Sequence, residues 1–263
     1  MRALVSAGVP TAAPLQRLDD GGWLEQCVLK PVAAFAWVDG HFTCQAKVTA
    51  GLCHALGEAL AHLHAATPYC APLPPSRFEP PDLMKRLDFA ARAAPELAEA
   101  ADAIGGKLEV YAGKRTAEMP SGLIHGDLFR ENVLWQDGAL RSLVDFECAG
   151  QGRYAYDLMV SMLAWCFGHR FDMALVGALL RGYCRHRRLT AREIQGLHVE
   201  AALGCLRFAT TRLVDFSLPT RPGDTPVRDF RRFLARLEAL ERGAGTELVA
   251  LATDASAGLQ RRP

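Results

Sequence analysis

The hydrophobic pattern of the chain changes its period near residue 40, and this change limits the folds that the chain can adopt. Before Asp39 and Gly40, short segments alternate apolar and polar residues, which predicts small antiparallel strands. From Val48 to His64 the apolar residues recur with a helical period, and similar patterns fill most of the remaining chain. The sequence therefore predicts an α+β protein in which a small sheet lobe precedes a mainly helical lobe.

The same change of period predicts three parts of the chain. A partial N-terminal lobe, with the end of a helix and a small sheet, is expected at residues 1–40. A helical C-terminal lobe is expected at residues 41–243, with a hinge at about residues 38–43, and a loosely held tail at residues 244–263. The strands of the sheet are predicted at Ala13–Leu18, Trp23–Leu29 and Pro31–Val38.

Composition argues against several classes of protein. The 263 residues carry 30 Lys and Arg against 29 Asp and Glu, so the net charge of +1 argues against binding to nucleic acid or to an acidic membrane surface. No apolar run approaches the roughly 18 residues of a membrane span, and the first residues do not resemble a signal peptide. The eight cysteines lack the spacing of a zinc site or a disulfide framework. We therefore expect a soluble, cytoplasmic protein.

Two histidines of the first long helix, His62 and His64, are not expected to form a metal site. They lie two residues apart, so on a helix their side chains point about 200° apart. We therefore expect both to be ordinary helix residues and one of them to be packed in the interior.

One segment, residues 123–158, holds most of the residues that indicate chemistry. Asp127 lies two positions after His125, Asn132 lies five positions after Asp127, and a strand ending at Asp145 follows thirteen positions later. Transfer of a phosphoryl group to a hydroxyl needs a carboxylate near the acceptor proton, oxygen ligands for Mg²⁺, and positive charge around the phosphates. The segment contains the first two of these.

The spacing within this segment fits a single metal site. Asp137 and Gly138 predict the turn of a hairpin. Opposed positions of that hairpin place Asn132 and Asp145 on neighbouring strands, about 5–8 Å apart, so one Mg²⁺ can bind both. Asp127, in the loop before the first strand, would lie beside the same phosphate as the general base.

The order His-x-Asp-x-x-x-x-Asn, followed by a strand and Asp-Phe, resembles protein kinases and the small-molecule kinases related to aminoglycoside and choline phosphotransferases. More narrowly, the chain closely resembles the bacterial homoserine kinases of that superfamily, and the resemblance covers nearly the whole chain. It is carried by GVPTAAPL, KPVAAFAWVDG, IHGDLFRENVLW, SLVDFECAG, YAYDLMVSMLAWCF and CLRFATTRLVDFSLP. The resemblance implies a protein-kinase-like two-lobe fold. It also implies ATP- and Mg²⁺-dependent phosphorylation of the side-chain hydroxyl of L-homoserine, a step in threonine biosynthesis.

The resemblance also implies roles for individual residues. Asp127 would be the catalytic base, and Asn132 and Asp145 would bind Mg²⁺. The adenine of ATP would lie against the hinge backbone near Trp37 and Val38.

Homoserine carries a carboxylate and an ammonium besides its hydroxyl, and four residues are candidates to bind them or the phosphates. Arg207 and Arg212 are candidate forks for the carboxylate. Asp157 would bind the ammonium or brace the catalytic loop, and Arg130 would offset phosphate charge or pair with Glu131. For each of them a structural ion pair is equally consistent with the sequence.

The sequence differs from the homoserine kinases that it resembles at its N-terminus. Those proteins begin with strands that cover the phosphates, before the helix that precedes GVPTAAPL, whereas this sequence begins within that helix. We therefore expect a truncated N-terminal lobe and, for a chain that begins here, impaired turnover. The reason is that an open cleft lets water reach the γ-phosphate and weakens its positioning.

Two other functions stay open as alternatives. The chain could be a kinase of the same superfamily that acts on choline, an aminoglycoside or another small alcohol. It could also be a noncatalytic module with the kinase shape that binds a nucleotide or a partner. The presence of Asp127, Asn132 and Asp145 together argues against the second alternative, since a module without chemistry has no need of all three.

Overall fold

A computed structural model describes the chain at residues 1–28, 30–70, 72–216 and 228–258. Helices account for most of these residues, and short antiparallel strand pairs supply the remaining regular structure. The mixture of helix and sheet expected from the hydrophobic pattern is present, with the long helices all after residue 49. No helix in the described ranges is both long enough and apolar enough to cross a membrane.

The N-terminal segment contains a short helix and one short strand pair. Helix α1 spans Arg2–Ser6, and strands β1 (Glu25–Cys27) and β2 (Lys30–Val32) pair in antiparallel register. The predicted strands at Trp23–Leu29 and Pro31–Val38 are therefore correct in place and too long; Leu29 itself lies outside the described residues.

Two prolines of the predicted strands lie at paired positions. Pro31 is opposed to Gln26 within β2, and Pro14 is bridged to Phe35. The predicted first strand meets the third through backbone hydrogen bonds from Leu15 N–H to Ala34 O and from Ala36 N–H to Ala13 O. Proline has no N–H to donate to a strand ladder, so each of these two positions lacks one donor for pairing.

The second part of the chain is built from helices that pack around one apolar core. Helix α8 is the longest, and nearly all of its residues from 196 to 210 are buried. The helices are α2 (Ala50–Ala65), α3 (Thr67–Cys70), α4 (Pro80–Ala93), α5 (Ala98–Gly113), α6 (Tyr154–Trp165), α7 (Met173–His186), α8 (Ala191–Phe216), α9 (Arg231–Ala239) and α10 (Gly245–Ala257).

Helices α2 and α7 cross with their backbones in contact, because each has a glycine at the crossing. A Cβ atom on Gly57 of α2 would overlap Leu179 O and would lie 2.7 Å from Tyr183 N. A Cβ atom on Gly182 of α7 would overlap the backbone of His54. This crossing brings His64 of α2 close to Tyr183 of α7.

The prediction of a loosely held tail after residue 243 is wrong for residues 245–257. These residues form α10, whose Leu248 and Ala252 are buried against α7 and α8. Gly243 has a φ of 138°, so the chain turns there and starts a new helix. Glycine at a helix end usually indicates a stop, which explains the wrong prediction. Residues 259–263, the end of the predicted tail, lie outside the described residues.

Two strand pairs frame the segment that carries the motif. Strand β3 (Ser121–Ile124) pairs with β6 (Gly150–Arg153), and β4 (Val133–Gln136) pairs with β5 (Ala139–Leu143). The second pair is the predicted hairpin: its turn has φ of 51° at Asp137 and 76° at Gly138, as a two-residue turn with both residues left-handed requires.

The predicted hinge lies beside this hairpin. His41 and Trp135 exchange backbone hydrogen bonds of 2.9 and 3.0 Å, which attach the segment after Gly40 to strand β4. The N-terminal segment is attached to the other strand, since Leu143 N–H donates to Pro10 O at 2.7 Å and Thr11 Oγ1 donates to Leu143 O at 2.9 Å.

Candidate active site

Asp157 holds the backbone of the loop at residues 125–132, which we call the motif loop. Its Oδ1 accepts from Gly126 N–H at 2.7 Å, and its Oδ2 accepts from His125 N–H at 2.8 Å and from His64 Nε2 at 3.1 Å. Gly126 has a φ of 75°, a conformation that glycine adopts without strain.

The buried carboxylate of Asp157 serves the fold of the motif loop. Burial alone would raise the pKa of Asp157, but hydrogen bonds from His64 and from the backbone of His125 hold the pKa below its usual range. The side chain is fully buried and both oxygens accept hydrogen bonds from the protein. Of the two roles predicted for Asp157, the structure therefore supports the brace, and the ammonium site is wrong.

His125 connects the motif loop to the strand that precedes Asp145. Its Nε2 lies 2.9 Å from Val144 O, and its Nδ1 lies 3.3 Å from the backbone nitrogen of Asp127. A carbonyl oxygen only accepts, so Nε2 carries the proton and Nδ1 accepts from Asp127 N–H. The position of Asp127 is thus coupled to that of the hairpin.

Asp127 and Asn132 are in direct contact, and Asp145 lies beside them in the hairpin. Asn132 Nδ2 donates to Asp127 O at 2.7 Å and lies 3.5 Å from Asp127 Oδ2. Val144 N–H donates to Asn132 O at 3.0 Å, so Asp145 directly follows the residue opposite Asn132. Asp145 follows β5, has a φ of 61° and is exposed. The spacing argument predicted this register to within one position.

The donor set at this point suits a magnesium ion bound together with a nucleotide. Within the described ranges, no three His, Cys, Asp or Glu side chains converge as a metal cluster. Mg²⁺ prefers oxygen ligands and is usually held by one or two carboxylates together with waters and substrate phosphates. Because Nδ2 of Asn132 donates to Asp127, Oδ1 of Asn132 is the atom available to a cation. Asn132 and Asp145 therefore fit such an ion.

Arg207 is committed to the motif loop. Its Nη1 donates to Asp127 Oδ1 and to Gly126 O, both at 3.0 Å. Its guanidinium carbon lies 4.1 Å from the ring centre of Phe78 and 3.8 Å from that of Phe208. The residue is only 3% exposed, so it pairs with the candidate base while stacked between two rings. The predicted use of this side chain as a fork for a substrate carboxylate is not what this geometry supports.

Arg212, five residues further along α8, is half-buried and lines the same cavity as Asp127. It lies 4.5 Å from the ring centre of Phe233 and donates to Asp229 O at 3.3 Å. Burial and the positive charges of Arg228 and Arg232 lower its pKa to about 10, so it is still charged at neutral pH.

Arg130 is not among the residues that line this cavity. Its Nη1 donates to Gln45 Oε1 at 2.7 Å and to Ala164 O. Glu131, the partner predicted for Arg130, lies 3.7 Å from Arg228 instead. The predicted ion pair of Arg130 with Glu131 is therefore wrong, and the predicted offset of phosphate charge stays a prediction. The side chain fixes the motif loop to α6.

Asp127, Arg207 and Arg212 line one cavity of about 330 Å³. This volume is suited to a small molecule. Asp127, 28% exposed, lies at its wall together with Arg207. Its lining also includes Arg77, Phe78, Arg212 and Asp215. Sequence reasoning missed Arg77 and Phe78, because only tertiary contact brings their loop here: Gln151 N–H donates to Pro74 O at 2.7 Å.

The predicted adenine site lies at the edge of the described hinge. Trp37 is 89% exposed, and its Nε1 donates to Asp39 Oδ1 at 2.9 Å. Val38 is partly exposed.

The chain is similar to a known family of enzymes over most of its length. A model of the phosphotransferase enzyme family (APH) matches residues 1–194. The chain is 35% identical over 244 residues to the homoserine kinase of Chelativorans sp., covering 90% of this chain and 74% of that protein. It is 33% identical over 231 residues to the homoserine kinase of Granulibacter bethesdensis, covering 87% and 71%.

The solved structures establish the fold. The structure of an amicoumacin kinase in complex with AMP-PNP and Ca²⁺ superposes with a TM-score of 0.64 at 15% identity. The match covers 98% of this chain and 75% of that one. The predicted protein-kinase-like α+β fold is therefore confirmed.

Proposed function

Since the chain belongs to the phosphotransferase enzyme family and is a small-molecule kinase, we propose that it transfers the γ-phosphoryl group of ATP to the side-chain hydroxyl of L-homoserine. The relatives named homoserine kinase support this acceptor. The structural observation that carries the proposal is the position of Asp127. Its carboxylate contacts Asn132, pairs with Arg207 and lines the cavity that an acceptor would occupy.

Asp127 orients the acceptor and takes its proton. Arg207 holds Oδ1, so Oδ2 is the oxygen that receives the hydrogen bond of the acceptor hydroxyl. As the hydroxyl oxygen bonds to the γ-phosphorus, the bond from that phosphorus to the β,γ-bridging oxygen breaks and ADP leaves. The hydroxyl proton passes to Asp127.

The nucleotide is bound between the hinge and the hairpin. Asn132 Oδ1 and the Asp145 carboxylate would hold Mg²⁺, and this ion would neutralise charge on the phosphate oxygens. The adenine lies against the backbone near Trp37 and Val38. Because His125 joins Asp127 N–H to Val144 O, the base and the hairpin that carries Asp145 keep a constant separation.

Arg212 binds the carboxylate of the acceptor. It remains charged and lines the same cavity as Asp127. The carboxylates of Glu131 and Asp215 line the same cavity and supply negative charge for the ammonium. A cavity with both signs of charge favours an amino acid over a purely cationic alcohol such as choline.

An acceptor panel tests the proposed function. The purified protein is incubated with ATP and Mg²⁺ and with homoserine, 3-amino-1-propanol, 4-hydroxybutyrate, choline or an aminoglycoside, and phosphoester formation is followed by phosphorus NMR. We expect the highest kcat/KM with homoserine. Turnover of choline or an aminoglycoside without homoserine would assign another acceptor, and nucleotide binding without any phosphoester would favour the noncatalytic alternative.

A further inference from the structure

A buried chain of hydrogen bonds runs from Asp157 away from the cavity. His64 Nε2 lies 3.1 Å from Asp157 Oδ2, and His64 Nδ1 lies 2.7 Å from the hydroxyl of Tyr183 on α7. Arg187 Nη1 lies 3.0 Å from the same hydroxyl. His64 is the packed member of the histidine pair noted in the sequence, whereas His62 is exposed.

The chemistry of the two ends sets the direction of every hydrogen bond in this chain. A guanidinium only donates and an ionised carboxylate only accepts. Arg187 therefore donates to Tyr183, Tyr183 donates to His64 Nδ1, and His64 Nε2–H donates to Asp157. Burial lowers the pKa of His64 and raises that of Tyr183, so His64 is neutral and the phenol keeps the proton that it donates.

The outer end of the chain is fixed by the junction of α7 and α8. Arg187 Nη2 lies 2.8 Å from Glu193 Oε1, whose side chain is fully buried in the first turn of α8. Thr190 N–H donates to Glu193 Oε2 at 2.9 Å, and Glu193 N–H donates to Thr190 Oγ1 at 3.2 Å. These reciprocal bonds form a capping box, so Arg187 is anchored to a rigid helix start.

The ring of His64 is held by a stacking contact as well as at its nitrogens. It stacks on Tyr154 with 4.5 Å between ring centres, and the guanidinium carbon of Arg187 lies 4.5 Å from the centre of the same Tyr154 ring. A ring fixed in plane and tautomer leaves Asp157 one orientation in which it receives all three donors. That orientation fixes the position of the Gly126 backbone, and Asp127 is the next residue of the chain.

We propose that Tyr183 and Arg187 are positioning residues for phosphoryl transfer, which act through His64 and Asp157 to hold the motif loop. The inference rests on the proposed role of Asp127 as the base. Neither side chain lines the cavity around Asp127, so neither is catalytic. Their contribution is to keep the carboxylate of Asp127 in the orientation that the acceptor hydroxyl requires.

Tyr183→Phe removes one hydroxyl of this chain and leaves the ring in the core. Tyr111→Phe is the matched control, because Tyr111 is also a buried residue and its hydroxyl donates to Glu241 Oε1 at 3.1 Å, outside the motif loop. We expect both variants to lower the melting temperature, whereas only Tyr183→Phe lowers kcat, by about 10-fold, with KM for ATP within about 2-fold of the original.

Hydrogen exchange at residues 123–129 gives a second readout that needs no acceptor. We expect these amides to exchange at least about 10-fold faster in Tyr183→Phe and unchanged in Tyr111→Phe. Arg187→Lys, which keeps the charge and loses the fork to Tyr183 and Glu193, should lie between Tyr183→Phe and the unaltered protein in both measurements.

The two readouts separate this inference from the proposed function. Absence of homoserine phosphorylation by the unaltered protein would contradict the proposed acceptor, and the exchange comparison would still decide the role of Tyr183. If Tyr183→Phe and Tyr111→Phe had equal exchange at residues 123–129, or equal kcat well below their melting temperatures, the positioning role would be overturned.

Discussion

Arg207 Nη1 lies 3.0 Å from Asp127 Oδ1 and so occupies one of the two carboxylate oxygens of the proposed base. The guanidinium is stacked between Phe78 and Phe208, which fixes the direction of this pair. An exposed ion pair would contribute little, but this one is almost fully buried on the arginine side. We therefore propose that the other oxygen, Oδ2, which Asn132 Nδ2 approaches to 3.5 Å, receives the acceptor hydroxyl.

Replacing Arg207 by lysine should separate orientation from charge. Arg207→Lys keeps a cation but loses the planar group that stacks between the rings and bridges Gly126 O and Asp127 Oδ1. We expect kcat to fall at least about 10-fold with KM for ATP nearly unchanged. Arg192→Lys, at an exposed position of the same helix, is the control, and equal kcat values for the two variants would refute the positioning of Asp127 by Arg207.

The acceptor carboxylate can be tested by changing the protein and the substrate together. Arg212→Gln should raise KM for homoserine by about 10- to 100-fold, since a hydrogen bond to a charged group contributes about 1.5–3 kcal/mol. KM for 3-amino-1-propanol, which lacks the carboxylate, should stay the same. Arg192→Gln should change neither value; a similar loss with both acceptors would show that Arg212 does not bind the carboxylate.

Asp145 can be tested as a metal ligand with Asp137 as the matched control. Both have a left-handed backbone, with φ of 61° and 51°, which asparagine adopts as readily as aspartate. Asp145→Asn should weaken Mg²⁺-dependent binding of ATP at least about 10-fold, whereas Asp137→Asn, in the exposed turn, should leave it unchanged. Calorimetric titration of ATP with and without Mg²⁺ measures the affinity of each variant. Equal Mg²⁺-dependent affinities of Asp145→Asn and Asp137→Asn would show that Asp145 is not a metal ligand.

Alanine should destabilise the protein at the close crossing of α2 and α7 and stabilise it at an open glycine of α5. A Cβ on Gly57 would overlap backbone atoms of α7, whereas no atom lies within 4 Å of a Cβ on Gly106 in the exposed face of α5. Gly57→Ala should lower the free energy of unfolding by about 1–3 kcal/mol or more. Gly106→Ala should raise it by about 0.5–1 kcal/mol. Chemical denaturation measures both, and a stabilising Gly57→Ala would contradict the packing of the two helices.

The parts of the site that depend on local spacing were predictable from the sequence. Asp137 and Gly138 indicate a hairpin by their turn preference, and the register of that hairpin relates Asn132 to Asp145. The helical period likewise predicts α2 and α8, because a repeated apolar face is a local property.

The parts that depend on tertiary direction were not predictable. The hydrogen-bond partner of Arg130 could not be predicted, because Gln45 lies 85 positions away in the sequence. Asp157 needed the structure to decide between brace and ammonium site, since only its burial excludes a ligand. Arg77 and Phe78 carry no motif, and reach the cavity through the pairing of their loop with β6.

The most direct test of the account is the kinetics of Asp127→Asn, with Asp102→Asn on the exposed face of α5 as the control. Both proteins are assayed for homoserine phosphorylation and for equilibrium binding of ATP with Mg²⁺. A general base that also orients its substrate accounts for about 10²- to 10⁴-fold in rate. We therefore predict a loss of kcat of that size for Asp127→Asn, with ATP affinity within about 2-fold of the unaltered protein. Retention of the original kcat by Asp127→Asn would contradict the account.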